Sequence, residues 1–127
     1  MNINNAHSDN VDHTATSNYW TSTAFEPLTN IEEHFLAQQD AQLSIFQEKN
    51  ENYGMDNISG GLDLTISENK KESLQALYFR MRDKLARFKQ LVENDNEGTS
   101  EESIIDTLHD LANYSNIGII VYNNQWK

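Results

Sequence analysis

The fold is decided by the stretch Leu74-Gln-Ala-Leu77-Tyr78-Phe-Arg-Met81-Arg-Asp-Lys-Leu85-Ala-Arg-Phe88-Lys-Gln-Leu-Val92. An α-helix turns by about 100° per residue, and at that spacing one group of apolar side chains falls within an arc about 100° wide. The group comprises Leu74, Leu77, Tyr78, Met81, Leu85, Phe88 and Val92. The pattern predicts an amphipathic helix over residues 69–93 whose apolar arc faces the core.

An earlier helix is predicted over residues 30–50. Thr29 and Glu32 have the spacing of an N-terminal capping box, in which each side chain accepts a hydrogen bond from the other residue's backbone N–H. The run Asn52-Tyr53-Gly54 is expected to end this helix, and Ser59-Gly60-Gly61 is typical of a flexible connector.

A third helix is predicted over residues 100–122, opened by a second capping box in Thr99 and Glu102. Its β-branched end, residues 117–121, would also suit a strand, but no partner strand is evident and a helix is preferred. Its apolar side carries Ile104, Ile105, Leu108, Leu111, Ala112 and Ile119.

These elements predict an all-α protein, a small bundle of three to four helices. With 127 residues the chain has room for one core, which we place in a single domain over residues 25–127. Residues 1–24 are rich in Asn, Ser, Thr and His and are predicted to form a flexible, disordered polar arm. Trp20 and Trp126 are expected to dock the two ends of the chain rather than to bind a ligand.

Composition excludes several classes of protein. The sequence has no cysteine, which excludes disulfides, thiol catalysis and zinc sites with cysteine ligands. No apolar run reaches the roughly 18 residues that a membrane span needs, and no signal peptide is evident. The expected location is therefore the cytoplasm, without a membrane partner.

The net charge of −11 is unevenly distributed. Residues 70–89 hold seven of the nine basic side chains beside two acidic ones, a local charge of +5, and the rest of the chain carries −16. General nucleic-acid binding needs an extended basic surface, so this balance argues against it. A short basic segment beside acidic neighbours would instead suit a small anion.

A polar stripe runs along the third predicted helix. Asp106, Asp110 and Asn113 lie within about 60° of one another, and a solvated face is the simplest explanation. However, the same line continues into Ile117 and Val121, which favour burial. The alternative is that the two aspartates lie at the rim of a buried or half-buried cleft.

A second stripe, on the helix over residues 69–93, contains Arg80, Asp83 and Arg87. These residues could form an intrahelical salt-bridge ladder worth a few tenths of a kcal/mol per pair. Together the two stripes supply carboxylates, which are ligands for Mg²⁺, and arginines, which bind phosphate. Hydrolysis of a nucleoside triphosphate would use both groups.

Two runs carry a resemblance to a known family: Arg80-Met-Arg-Asp83-Lys84-Leu-Ala-Arg87-Phe, and Glu102-Ser-Ile-Ile-Asp106-Thr-Leu-His-Asp110-Leu-Ala-Asn113-Tyr114. They resemble the pattern of the nucleotide modification associated domain type 1, a helical bacteriophage family grouped with MazG-like all-α nucleoside triphosphate pyrophosphohydrolases. Lys49 followed by Tyr53-Gly54 is similar to a further motif of that family. The resemblance covers about residues 40–122.

The resemblance implies a MazG-like bundle completed by oligomerisation, as a homo-oligomer (a dimer or tetramer), with Mg²⁺ as cofactor. It implies a triphosphate converted to a monophosphate and pyrophosphate in phage nucleotide metabolism or modification, in the host cytoplasm. The carried-over metal and catalytic residues are Asp83, Asp106 and Asp110. The carried-over nucleotide-binding residues are Tyr53, Arg80, Lys84, Arg87 and Asn113.

Three functions are therefore open at the level of the sequence. The leading hypothesis is a Mg²⁺-dependent nucleotide-binding protein that hydrolyses a nucleoside triphosphate. The second keeps the pocket without catalysis, as a module that sequesters a nucleotide. The third is a helical adaptor whose polar stripes are salt bridges and whose extra apolar face binds a protein.

Overall fold

The computed structural model describes residues 26–94 and 103–127. These ranges contain four helices and no strand: α1 (Asn30–Tyr53), α2 (Asp56–Ser59), α3 (Ser67–Asn94) and α4 (Ile104–Tyr122). The all-α prediction is confirmed. None of the helices in these ranges has the length and apolarity that crossing a membrane requires.

The chain divides into two compact units, Met1–Leu36 and Ala37–Lys127, and α1 begins in the first and ends in the second. The core and the clefts described below belong to the second unit. Three predictions, the N-terminal arm, the docking of Trp20 and the cap of Thr99 with Glu102, lie outside the described residues.

Capping boxes start both α1 and α4. The Thr29 backbone N–H donates to Glu32 Oε2 at 2.7 Å, and the Glu32 N–H donates to Thr29 Oγ1 at 3.3 Å, as predicted. At α4 the Asp106 N–H donates to Ser103 Oγ at 3.0 Å, and the Ser103 N–H donates to Asp106 Oδ2 at 3.2 Å. The carboxylate of Asp106 therefore serves as a helix cap.

The short helix α2 lies where the sequence predicted a loop. It ends at Gly60, whose left-handed backbone (φ 64°) is readily adopted by glycine. The Ser73 hydroxyl, on α3, donates to the Ile58 carbonyl oxygen at 2.9 Å. A hydrogen bond from α3 thus holds the helical turn that the local sequence did not reveal.

The core is small, formed by Leu64, Leu77, Ile117 and Val121, and half-buried side chains including Phe46 and Trp126 pack against it. Trp126 Nε1 donates to the Met55 carbonyl oxygen at 3.2 Å, and its ring meets Phe46 edge-on with centroids 6.3 Å apart. The prediction that Trp126 docks the C-terminal end is confirmed.

The predicted inward face of α3 is partly wrong. Tyr78, Leu85 and Val92 are 59%, 55% and 55% exposed, although the sequence placed them at the core. The side chains that turn inward, including those of Leu77 and Leu91, lie on an arc rotated by roughly 60° about the helix axis. Lys84 also lies on this arc, where its ammonium offsets the burial of Asp110 on α4.

The predicted apolar side of α4 is only partly buried: Ile104, Leu111 and Ala112 are half-buried, and the other three residues are exposed. Ile105, Leu108 and Ile119 are 65%, 44% and 59% exposed. The buried residues of α4 are Thr107, Asp110, Asn113, Ile117 and Val121, which include most of the stripe that continues into apolar residues. The cleft interpretation is therefore confirmed for Asp110 and wrong for Asp106, whose side chain caps the helix start.

Candidate functional site

A buried ion cluster joins the three long helices. Asp110, on α4, receives a hydrogen bond from Lys49 Nζ of α1 to Oδ1 at 2.5 Å, and Lys84 Nζ of α3 lies 2.8 Å from Oδ2. The Asp110 side chain is 10% exposed, whereas those of Lys49 and Lys84 are 49% and 25% exposed. A carboxylate can be buried here because two ammonium groups offset its desolvation.

The cluster opens into a cleft of about 330 Å³, which we call the lysine cleft. It lies between the C-terminal half of α1, the α2 turn and α4. Besides the three charged residues, its walls carry aromatic rings and carboxamides, contributed by Phe46, Tyr53, Tyr114, Trp126, Asn50, Asn57 and Asn113. A volume of this size is at the lower end for small-molecule sites in proteins.

The charges that line the lysine cleft are two ammonium groups and one carboxylate, so the wall has a net positive charge of one. Arg80 adds a further positive charge nearby, because its Nη2 donates to the carbonyl oxygen of Asn57 at 2.9 Å and to Oδ1 of Asn57 at 3.3 Å. Within a protein whose net charge is −11, this wall is locally positive, which favours an anion over a cation.

The pKa of Asp110 reflects two opposing effects. Burial raises the pKa of the carboxyl, but the hydrogen bonds and charges of Lys49 and Lys84 lower it by more, so the pKa lies below its ordinary value of 3.8. Asp110 is therefore ionised at neutral pH, and the cluster keeps both of its ion pairs.

Acidification is expected to remove the stabilisation that this cluster provides. Because the pKa of Asp110 is lower in the folded than in the unfolded protein, its contribution is complete above the unfolded value and is lost as the pH falls through the folded value. The difference in unfolding free energy between wild type and Asp110→Asn should stay constant from about pH 7 to 5 and shrink below about pH 4. Urea denaturation at each pH measures this difference. A difference that does not vary with pH would contradict a lowered pKa of Asp110 in the folded protein.

The structure brings together four of the residues that the sequence predicted for the site. Tyr53, Lys84, Asp110 and Asn113 all line the lysine cleft. Asn113 is 8% exposed, and Tyr53 is 66% exposed at the opening.

The other predicted residues lie elsewhere. Arg80 does not line the cleft itself, but it donates a hydrogen bond to Asn57, which does. Arg87 is half-buried on α3 and does not line the cleft. The side chain of Asp83 is 78% exposed, with Arg82 Nε 3.9 Å from its Oδ1, and Asp106 caps α4.

The three aspartates proposed as magnesium ligands do not fit a shared metal site as they are placed. Asp83 faces solvent, Asp106 is engaged in a cap, and Asp110 is neutralised by two lysines. Within residues 26–94 and 103–127, no three acidic or histidine side chains form a group that could hold a metal ion. The magnesium site stays a prediction from the sequence.

Lys49 is the main residue of the site whose role the sequence does not predict. Its sequence motif links it only to Tyr53, whereas the structure places its ammonium on Asp110, 61 residues away along the chain. A signal was present: an aspartate on a stripe that continues into Ile117 and Val121 needs a cation when it is buried. Nothing local to Lys49 identified it as that cation.

Comparisons of the chain with protein-family models, with curated proteins and with solved structures give no match. The resemblance drawn from the sequence motifs therefore stays a prediction.

Proposed function

We propose that this protein binds a nucleotide in the lysine cleft. The observation that carries the proposal is the convergence of Lys49 and Lys84 on Asp110 at the wall of an open cleft edged by aromatic rings. Ammonium groups attract phosphate, and an exposed tyrosine offers a face on which a base or sugar can stack. The two features suit a ligand that is anionic at one end and aromatic at the other.

Binding without a metal ion is the part of the proposal that the geometry supports best. Lys49 is half-exposed, so its ammonium can contact a ligand while it remains bonded to Asp110. A lysine offers three N–H donors, and a phosphate oxygen accepts hydrogen bonds from a charged donor especially well. The module that holds a nucleotide without reacting with it is therefore favoured over the hydrolase.

Hydrolysis of a nucleoside triphosphate to a monophosphate and pyrophosphate, with Mg²⁺, is the extension that the resemblance implies. Its direct assay is pyrophosphate release from a panel of ribo- and deoxyribonucleoside triphosphates. Release that depends on Mg²⁺ and on Asp106 would restore the hydrolase hypothesis. Action in phage nucleotide metabolism and a cytoplasmic location rest on the sequence alone.

The proposal is tested by the melting temperature of the protein with nucleoside mono- and triphosphates, each with Mg²⁺ and with a chelator. A ligand that binds only the folded state stabilises it by mass action, about 2.7 kcal/mol at a hundred times its Kd. We expect a rise that persists with the chelator. If no nucleotide raises the melting temperature, the proposal fails and the adaptor hypothesis is preferred.

We also propose that the protein is a homo-oligomer, because α3 and α4 expose one apolar surface. Between them lies a groove of about 370 Å³ whose lining residues include Tyr78, Met81, Ile119 and Tyr122. Exposed apolar surface of this kind is more common at interfaces than on monomers. A second copy that packs the same surface against it would complete a helical bundle.

An aspartate placed in this groove is expected to break the oligomer. Ile119→Asp would put a charge at the centre of the contact, and the protein should then elute as a monomer when its mass is measured by light scattering. Asn116→Asp is the matched control, since it adds the same charge on α4 at an exposed position outside the groove. A wild-type protein that is already monomeric at high concentration would disprove self-association.

A further inference from the structure

We propose that a second cleft, next to the lysine cleft, is the subsite for the base of the bound nucleotide. This inference rests on the proposed nucleotide binding and names the part of the ligand that the second cleft recognises. The second cleft has a volume of about 280 Å³, lies between α1 and α4, and shares Phe46, Asn113 and Ile117 with the lysine cleft. We call it the amide cleft.

The chemistry of the amide cleft differs from that of the lysine cleft. Of its eight lining residues, four carry a carboxamide and none carries a charge: the four are Gln39, Gln42, Asn113 and Asn116. A carboxamide supplies both a hydrogen-bond donor and an acceptor, as the edge of a nucleobase does. The remaining walls, including Leu43, Phe46 and Ile120, are apolar and can contact the faces of a planar ring.

Asn113 marks the junction between the two clefts. Its side chain lies in the middle of α4 and is 8% exposed. Among the described residues it makes one hydrogen bond, from Nδ2 to the Gln42 carbonyl oxygen at 3.4 Å, which is long for such a bond. A buried carboxamide with weak partners is costly, and a ligand that bonds to it would recover part of that cost.

The two clefts therefore suit different parts of one ligand, one charged and one uncharged. The lysine cleft has a net positive wall and suits a phosphate, and the amide cleft has uncharged donors and acceptors and suits a heterocycle. Because Asn113 lines both clefts, a nucleoside monophosphate that spans them would pass beside its side chain.

The test compares ligands with and without a base on the same variants by isothermal titration calorimetry. The ligands are the four common ribonucleoside monophosphates and ribose 5-phosphate, which has no base. The variants are Gln39→Leu and Asn116→Leu, whose parent side chains are exposed and whose replacement should not unfold the protein. Gln38→Leu on α1 is the matched control, because Gln38 is exposed and does not line the amide cleft.

We expect the wild-type protein and the control to bind at least one nucleoside monophosphate about tenfold or more tighter than ribose 5-phosphate. Each variant should lose about tenfold affinity for that nucleotide and keep its affinity for ribose 5-phosphate. If the variants bind the nucleotide as tightly as wild type does, the subsite is disproved and nucleotide binding stands. If wild type binds neither the monophosphates nor ribose 5-phosphate, the subsite is disproved; the proposed nucleotide binding fails as well if no triphosphate raises the melting temperature.

Discussion

Replacing Asp110 by alanine is expected to lower the free energy of unfolding by about 2 kcal/mol, because two ammonium groups lose their shared carboxylate. The cost stays below that of a fully buried pair, since the side chains of Lys49 and Lys84 are 49% and 25% exposed and can turn towards water. The loss should also loosen α1, which has no buried residue and which Lys49 ties to α4 through Asp110.

Chemical denaturation of the two proteins measures the difference. Asp83→Ala is the matched control, because the side chain of Asp83 is 78% exposed and its removal should change the unfolding free energy by less than about 0.5 kcal/mol. Equal effects of the two substitutions would show that the cluster does not hold the helices together.

Replacing either lysine of the cluster by methionine is expected to weaken nucleotide binding, and each single substitution leaves Asp110 with one cation. Each lysine contributes a positive charge to the lysine cleft, and each single substitution, Lys49→Met or Lys84→Met, should weaken binding at least about tenfold. Methionine keeps most of the length of the side chain and removes the charge, so the change reports on electrostatics more than on packing.

The matched control is Lys89→Met. Lys89 lies on α3 as Lys84 does, but its side chain is 73% exposed and its Nζ lies 3.9 Å from Glu93 Oε1, away from the cleft. Wild type and the three single lysine variants are titrated calorimetrically with the nucleotide that gives the largest rise in melting temperature. The comparison separates a charge at the lysine cleft from a charge elsewhere on the protein. If Lys89→Met weakens binding as much as Lys84→Met does, the ligand is held by overall charge and not in the lysine cleft.

The helices themselves were predictable because their signals are local. The spacing of apolar residues located α3 within two residues at each end, and Thr29 with Glu32 marked the start of α1. The helix α2 was not predictable, since its four residues depend on a hydrogen bond from Ser73 and on the backbone of Gly60.

Which face of a helix is buried was much harder to predict. Periodicity showed that one side of α3 is apolar, but it does not show what covers that side. Tyr78 and Leu85 lie on the apolar side and are exposed in the single chain. Whether another helix, a second copy of the chain or solvent covers that side cannot be read from the sequence of the helix itself.

Of the site, the buried carboxylate was predictable from the sequence, but the cation that pairs with it was not. Asp110 could be placed at a cleft because its stripe continues into buried apolar residues, and burial of a carboxylate calls for a cation. Which cation serves depends on tertiary structure, since Lys49 is 61 residues away from Asp110 in the sequence. The family resemblance and the shared residue type grouped Asp83 and Asp106 with Asp110 as metal ligands. In the structure, however, the three side chains have different surroundings.

The most direct test of the lysine cleft is calorimetric titration of Asp110→Asn with a nucleoside monophosphate in the presence of a chelator. Asparagine keeps the shape of aspartate and an acceptor oxygen for the lysines, and it removes the negative charge that repels a phosphate. The lysine cleft predicts that this variant binds about tenfold tighter than wild type without any metal ion. If the variant binds more weakly than wild type in the chelator, the lysine cleft is not the anion site. If binding requires both Mg²⁺ and the carboxylate of Asp110, then Asp110 serves as a metal ligand.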